Sequence, residues 1–230
     1  MSITRRAIPD ASSLDEAIDI VRGNWLHEIE QHHQQYSGNS TVEDILDIGC
    51  SVGWSTRFLA QKFPSANVTG LDLSPYFLAV AQFKENNRPL NGKRINWVHA
   101  NGEDTGLPAK SFDLVSIAYV LHECPAKATL NLVKEAFRLL RPGGTIAITD
   151  NSPKSKILQL LFLLYSAQNG THVGQELSPV LFTLMKSTEP FLDEYYLLDL
   201  EAALREAGFD HVETVLTDPR HRTVTATVPY

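Results

Sequence analysis

The feature that most constrains the fold is a regular alternation of short apolar runs with longer helical stretches. The apolar runs cover residues 44–48, 67–71, 95–99, 112–118 and 144–149. Helical patterns lie between them at 54–63, 75–87 and 126–140, and the motif RPGG at 141–144 separates the last helix from the fifth run. Strands that alternate with helices in this way predict a doubly wound parallel sheet with right-handed crossovers.

The C-terminal part does not continue this alternation of strands and helices. A helical pattern over 197–207 ends at Gly208, and two strand patterns follow at 211–216 and 222–228. Too few residues join these two strands for a crossover, so they must pair as an antiparallel hairpin. The sequence therefore predicts an α/β fold, with a mostly parallel seven-stranded sheet closed by a terminal antiparallel hairpin.

An additional helix is predicted before the first strand, over residues 12–35. Ser12 or Ser13 is the expected N-cap, and Glu16 stands three residues after Ser13, as in a capping box. A second helical addition, the insert 151–195, follows the fifth strand.

Composition excludes several classes of function. The net charge is −7 and the pI is about 5.6, so nucleic acid is not an expected partner. Cys50 and Cys124 lack the spacing of a disulfide framework, which favours a reducing compartment. No secretory pattern and no apolar run of about 18–20 residues is found, so we expect no stable membrane insertion. The expected location is the cytoplasm, or the plastid stroma if a transit peptide has been removed.

The turn after the first strand predicts the ligand. The stretch EDILDIGCSVGWSTRFL, residues 43–59, runs from a strand through Gly49, Ser51 and Gly53 into a helix. It lacks the third glycine of the nicotinamide fingerprint, which argues against an oxidoreductase. Asp72 ends the next strand, nineteen residues after Gly53, where a carboxylate can accept both ribose hydroxyls. Together these features indicate a nucleoside without phosphates.

Five motifs in order carry a resemblance to a known family. They are ILDIGCSVGWS, GLDLS, NGEDTGLP, SFDLVSIAYVLHE and LLRPGGTIAITD. In order and spacing they resemble the motifs of class I S-adenosylmethionine-dependent methyltransferases, most closely the small-molecule group that includes ubiquinone- and menaquinone-pathway enzymes. The likeness covers about residues 41–150. Other stretches, such as LDLSPYFLAVAQF and TDPRHRT, resemble an uncharacterised plant and cyanobacterial branch.

The resemblance implies S-adenosyl-L-methionine as cofactor and S-adenosyl-L-homocysteine as product. It assigns Asp47 to the amino end of the cofactor, directly or through water, and Asp72 to the ribose. Gly49 and Gly53 would let the backbone approach the methionine and ribose moieties. Asn101, Gly102 and Glu103 would recognise adenine. Ala118 and Tyr119 would line the methionine end, and Leu73, next to Asp72, is a further expected contact.

Two positions depart from the family pattern. Ser51 stands where a glycine is usual, and its Cβ is expected to be tolerated only if its φ is negative. Asn101 replaces an acid, but its carbonyl oxygen can still accept from an adenine amine.

Candidate acid–base and metal residues are few. His122, just past the fourth strand, is the catalytic candidate, and a structural role over the cofactor is the alternative. His27, His32 and His33 lie near acids, but no histidine pair has i, i+4 spacing. No metal site is therefore predicted, and a solvated helix end is the preferred interpretation.

The expected organisation is one methyltransferase domain with four parts: an N-terminal helical cap at 1–40, a cofactor-binding core at 41–150, the substrate-side insert at 151–195, and a closing helix and hairpin at 196–230. The insert is expected to wall a substrate pocket or form a homodimer contact, with extra core packing as the alternative. The predicted function is in-line methyl transfer to a small, apolar metabolite. A cofactor-binding scaffold or regulator without turnover is the alternative.

Overall fold

The sheet has the order and direction that the sequence predicts. The computed structural model describes residues 14–38, 41–87, 93–153, 189–218 and 220–230, with the backbone only for 14–22. Within these residues, seven strands form one sheet in the order β3-β2-β1-β4-β5-β7-β6. The strands are β1 Asp44–Ile48, β2 Asn67–Asp72, β3 Asn96–His99, β4 Phe112–Ala118, β5 Leu140–Asn151, β6 Asp210–Leu216 and β7 His221–Thr227. The first five strands pair in parallel, and β7 pairs antiparallel with both β5 and β6.

Strand β1 is central because neighbours pair with both of its edges and both of its faces are covered. Ile45 belongs to a core cluster that includes residues of the first helix, whereas Leu46 and Ile48 belong to the cluster on the opposite face. A strand buried on both faces reads as a continuous apolar run, which is why the pattern at 44–48 is so clear. The run contains two acids: Asp44 is partly exposed at the start of the strand, whereas Asp47 is completely buried.

The described helices cover both faces of the sheet. They are α1 Leu14–Tyr36, α2 Trp54–Lys62, α3 Pro75–Asn86, α4 Ala126–Leu139, α5 Leu192–Leu197 and α6 Leu200–Ala207, with a short 3₁₀ turn at Leu121–Glu123. Ser74 caps α3 by accepting from the Phe77 amide, and Pro75 occupies the first helical position. Gly208 ends α6 with a left-handed φ of 106°.

Two predicted boundaries were wrong. The motif RPGG does not separate helix from strand, because β5 already begins at Leu140 and contains it. The helix predicted at 197–207 begins later, at Leu200, because Leu197 ends the preceding helix, Leu198 is extended and Asp199 caps the new helix by accepting from the Ala202 amide.

The solvated helix end expected at His32 and His33 was also wrong. His32 is 3% exposed and lies 2.9 Å from the Thr227 hydroxyl, while His33 lies 3.0 Å from the Thr145 hydroxyl. Helix α1 packs these two rings against β5 and β7, so that both histidines are part of the buried interface between helix and sheet. His27 is exposed, as expected.

Most of the predicted insert lies outside the described residues, which include only 151–153 and 189–195 of it. Its expected roles as pocket wall or dimer contact stay predictions. Across the described ranges, no helix combines the length and the apolar content that a membrane crossing requires.

Candidate functional site

The candidate site lies at the carboxyl edge of the parallel strands. The loops that follow β1, β2 and β4 lie at this edge together with the end of β5, and this edge is where ligands bind in open α/β sheets. Each expected cofactor contact is in the last residues of a strand, on one of these loops, or on the short segment after β3. The topology therefore brings the predicted residues to one edge.

The loop after β1 has three residues in the left-handed region. The φ angles are 73° at Gly49, 49° at Ser51 and 80° at Gly53. A Cβ added at Gly49 would lie 2.5 Å from Cγ2 of Val120, so this position requires glycine. The condition set for Ser51, that a serine is tolerated here only with a negative φ, was wrong, because the serine adopts a φ of 49°.

Asp72 explains how Ser51 is held in this conformation. Its Oδ2 accepts from the Ser51 amide at 2.7 Å, and its Oδ1 accepts from the Ser74 amide at 2.8 Å. A charge-assisted bond to the loop amide offsets the cost of the left-handed serine, about 1–2 kcal/mol. The Asp72 carboxylate is 8% exposed and keeps further acceptor capacity, whereas the neighbouring Leu73 side chain is 68% exposed.

Asp47 is enclosed at the end of β1. Its Oδ2 accepts from the hydroxyls of Ser55 at 2.7 Å and Thr56 at 2.6 Å. Its Oδ1 is buried without a hydrogen-bond partner, and so is the hydroxyl of Ser116, the residue paired with Asp47 across β4. Burial raises the pKa of the Asp47 carboxyl from 3.8 to about 6, although the nearby hydroxyls of Ser55, Thr56 and Ser116 each act to lower it. The site therefore holds a carboxylate whose charge is only partly compensated by the protein.

The segment after β3 is organised by its own side chains. The Asn101 Oδ1 accepts from the Glu103 amide at 3.0 Å, and a β-bridge joins Asn101 to Asp104. Glu103 Oε2 in turn accepts from the Asn131 side chain of α4 at 2.8 Å. Gly102 packs against Ile48 and Leu132 so closely that an added Cβ would lie 2.6 Å from Cγ2 of Ile48. This segment is preformed for a ligand contact and is fixed to the core.

Tyr119 follows Ala118 at the end of β4 and has a positive φ of 61°. Its amide donates to the Thr149 carbonyl at 2.8 Å, which continues the pairing of β4 with β5 while the chain turns. The Tyr119 ring meets the His221 ring edge to face, with centroids 5.1 Å apart. A non-glycine residue in this region is an outlier of the kind that clusters at functional sites.

His122 lies in the 3₁₀ turn beside these residues and is 8% exposed. Its Nδ1 is 2.6 Å from Oδ1 of Asp150, and its Nε2 is 3.8 Å from Oε1 of Glu123. Burial by itself would lower the pKa of His122, but the hydrogen bond and charge of Asp150 raise it above its ordinary value. This arrangement orients the ring and makes it a stronger base.

Two acidic partners of histidines were missed from the sequence. Asp150, 1% exposed at the end of β5, accepts from the amides of Leu121 and His122 as well as from the ring. Its place after an apolar run repeats that of Asp72, and this signal was available. His221 begins β7 with its Nδ1 2.7 Å from Oδ2 of Asp218. The stretch TDPRH marked that turn, but nothing in it showed that β7 would bring His221 next to Tyr119.

Comparison with protein families gives a match to a methyltransferase domain over residues 46–148. The demethylmenaquinone methyltransferase of Lactococcus lactis is 33% identical over 181 residues, which are 76% of this chain and 69% of that protein. A demethylmenaquinone methyltransferase of Tropheryma whipplei is 29% identical over 174 residues, which are again 76% of this chain and 69% of that protein.

Solved structures at lower identity show the same fold. Phosphoethanolamine N-methyltransferase 2 of Haemonchus contortus, in complex with S-adenosyl-L-methionine, aligns with a TM-score of 0.62 at 17% identity. That alignment covers 100% of this chain but 61% of the other. Magnesium protoporphyrin IX methyltransferase of Synechocystis, with bound S-adenosylhomocysteine, aligns with a TM-score of 0.56 at 19% identity over 97% of this chain and 91% of the other.

Proposed function

Because the chain belongs to the class I S-adenosylmethionine-dependent methyltransferases of the small-molecule type, we propose that it methylates a small, largely apolar acceptor by in-line displacement. The L. lactis and T. whipplei relatives are named for demethylmenaquinone, which supports an apolar acceptor with an aromatic ring. The proposed reaction centre is the carboxyl edge of the sheet, between the loop after β1 and the turn after β4.

The residues present fit the cofactor. Asp72 retains acceptor capacity for ribose hydroxyls while it fixes the Ser51 amide, and the Asn101–Glu103 segment offers adenine contacts. The unpartnered Oδ1 of Asp47 leaves this buried carboxylate short of donors, and its negative charge favours a cationic amino group nearby. Since this carboxylate is fully enclosed, its effect on that group passes through a water or the half-buried Ser55 hydroxyl.

When bound, S-adenosylmethionine supplies a methyl group activated by its sulfonium. The protein then contributes alignment of the acceptor and exclusion of water. Ala118 and Tyr119 line the reacting end, and the hydrogen bond of the Tyr119 amide to β5 holds that turn in place. A base is needed where the acceptor loses a proton, as a ring hydroxyl or an activated ring carbon does.

The 2.6 Å contact between His122 and Asp150 is the observation that carries the proposed chemistry. Asp150 accepts from Nδ1–H, which leaves the lone pair on Nε2 to take the proton of the acceptor. The same carboxylate fixes the backbone of the 3₁₀ turn through two amides. His122 also lies just past the end of β4, at the edge of the sheet where the proposed reaction centre is, and these observations together support its assignment as the general base.

Turnover with an acceptor of matching chemistry tests this proposal. The assay supplies labelled S-adenosylmethionine and reduced 1,4-naphthoquinones with short apolar chains, and it measures S-adenosylhomocysteine release and a mass gain of one methyl group. His122→Ala is expected to lower turnover by about 10²–10⁴-fold while cofactor affinity is retained. His27→Ala, an exposed position on α1, is the matched control and is expected to change neither quantity.

Two results would contradict the proposal. Equal losses of cofactor affinity and turnover in His122→Ala would assign the histidine to a structural role. Tight cofactor binding without methylation of any supplied acceptor or cell-extract metabolite would favour the scaffold function that the sequence left open.

A further inference from the structure

Helix α3 is apolar on almost every side, yet the described protein covers only a narrow part of it. Leu78, Ala81 and Glu85 are its buried residues, and the other positions from Pro75 to Asn86 are exposed. A helix that is hydrophobic all round is normally enclosed by protein or lipid. Among the residues that the structure describes, none covers the outer side of α3 as its composition would indicate.

Exposed apolar side chains are concentrated at this place. Of the ten large hydrophobic residues that are exposed in the described chain, six lie on α3, just before it, or at the start of α2. One of the six, Leu73, is an expected cofactor contact and is not counted here. We call the other five the aromatic face: Trp54, Tyr76, Phe77, Val80 and Phe83. Tyr76 is 81% exposed and Phe83 is 68% exposed. An adjoining groove between α2 and α3 has a volume of about 340 Å³ and is lined by Trp54, Arg57, Phe58, Gln61 and Lys84.

The charges around the aromatic face oppose those of the whole chain. Lys84 is exposed on α3, and Lys93 and Arg94 are exposed just before β3, where Lys93 donates to the Asn67 side chain and lies near Asp44. The one acid in the sequence from Leu73 to Asn96 is Glu85, which is 0% exposed and accepts from the Ile95 amide at 3.2 Å. The chain as a whole carries a net charge of −7. This end of the molecule is therefore a basic, aromatic surface on an acidic protein.

We propose that the aromatic face docks on an anionic lipid bilayer, with α3 lying in the plane of the interface. A helix with aromatic and aliphatic side chains outward and cations beside them has the composition of an interfacial helix. Its 12 residues are too few to span a bilayer, so the attachment is peripheral. The acidic remainder of the molecule orients the basic end toward negative headgroups.

Two other occupants fit the surface less well. A second copy in a two-fold dimer would pair this face with itself, and a surface with exposed cations but no exposed acid between Leu73 and Asn96 gains no charge complementarity in that way. A protein partner typically supplies or receives anchors in a well-packed pocket. Here Tyr76 and Phe83 instead project outward from a convex helix, as side chains that insert into a lipid interface do.

Vesicle flotation tests the docking without cofactor or acceptor, so its outcome is independent of the methyl-transfer assay. The probes are vesicles of pure phosphatidylcholine and vesicles with 30% phosphatidylglycerol. We expect binding to the anionic vesicles that falls as salt is raised. Lys84→Glu with Arg94→Glu is expected to reduce partitioning by roughly 20-fold or more, since each cation near an anionic surface contributes about fivefold. Tyr76→Ser with Phe83→Ser is expected to reduce it by about tenfold or more through lost apolar burial.

Matched controls separate docking from general changes of the surface. Lys127→Glu with Lys134→Glu makes the same charge change on exposed positions of α4, and Leu197→Ser with Leu216→Ser removes exposed apolar side chains elsewhere. Both pairs are expected to bind vesicles like the wild type. The proposal is overturned if the wild type does not float with anionic vesicles, if neutral vesicles bind it equally, or if the control pairs lose as much binding. A dimer in solution that dissociates on Tyr76→Ser with Phe83→Ser would also overturn it, because the face would then belong to a second copy.

Discussion

Replacing Asp47 by Asn is expected to stabilise the protein at neutral pH and to weaken cofactor binding. The carboxylate is 0% exposed, and the hydroxyls of Ser55 and Thr56 both donate to the same oxygen. An asparagine places its carbonyl oxygen on those two donors and its amide on the other side, where the Ser116 hydroxyl has no hydrogen-bond partner. The substitution thereby removes a buried charge and satisfies an unpaired hydroxyl.

The size of the effect follows from the pKa of the buried carboxyl. Burial raises that pKa from 3.8 to about 6, a shift of about two units, and one unit corresponds to 1.36 kcal/mol. A raised pKa means that the folded state holds its proton more tightly than the unfolded state. The contribution of protonated Asp47 to stability is therefore complete below pH 3.8 and is lost as the pH rises through about 6. Above that pH, Asp47→Asn should raise the free energy of unfolding by up to about 3 kcal/mol.

Urea unfolding at several pH values measures this difference. The gain should be largest at pH 7–8 and should shrink toward zero near pH 4. Asp44→Asn is the control at the other end of the same strand, where burial raises the pKa but hydrogen bonds from Asn67 and Arg141 lower it below its ordinary value. That variant should lose stability at neutral pH and recover relative to the wild type on acidification. If Asp47→Asn is neutral or destabilising at every pH, the uncompensated buried charge described above does not exist.

Two further substitutions, at Ser51 and at Asp150, test residues at the same edge of the sheet. Ser51→Gly is expected to raise the free energy of unfolding by about 0.5–1 kcal/mol, because relief of a left-handed serine exceeds the entropic cost of glycine; a loss in urea unfolding would show that the φ of 49° carries no strain. Asp150→Asn is expected to lower the pKa of His122, so the acidic limb of the pH–rate profile should move to lower pH while kcat falls; an unshifted profile would uncouple the two residues.

Much of the fold was predictable because its signals are local. The apolar run of β1, the Ser74–Pro75 start of α3 and Gly208 at the end of α6 each depend on residues within one turn or strand. The predicted start of the helix at 197–207 was too early, although its local signal was available. Asp199 is a strong N-cap, and it places the start of the helix at Leu200.

The errors at the site and on α1 have non-local causes. Ser51 is held at a positive φ by the Asp72 carboxylate, 21 residues along the chain. The partners of His32 and His33 are threonines of β7 and β5, more than 100 residues away. A histidine-rich helix end has the composition of a solvated surface until the sheet is in place. Only the tertiary structure supplies the hydroxyls that make burial of these rings possible.

Three acids at the carboxyl ends of parallel strands show how far a sequence can assign roles. Asp47, Asp72 and Asp150 all follow apolar runs and are between 0% and 8% exposed, so their positions alone do not distinguish them. Their donors do: two hydroxyls for Asp47, two loop amides for Asp72, and an imidazole with the amides of its own turn for Asp150. The two hydroxyls only partly compensate the charge of Asp47, and the two amides let Asp72 fix the conformation of the loop after β1. The imidazole couples Asp150 to a group that titrates. The same residue type at the same place in the fold therefore has three chemical roles, because each role is set by donors that separate parts of the chain bring to it.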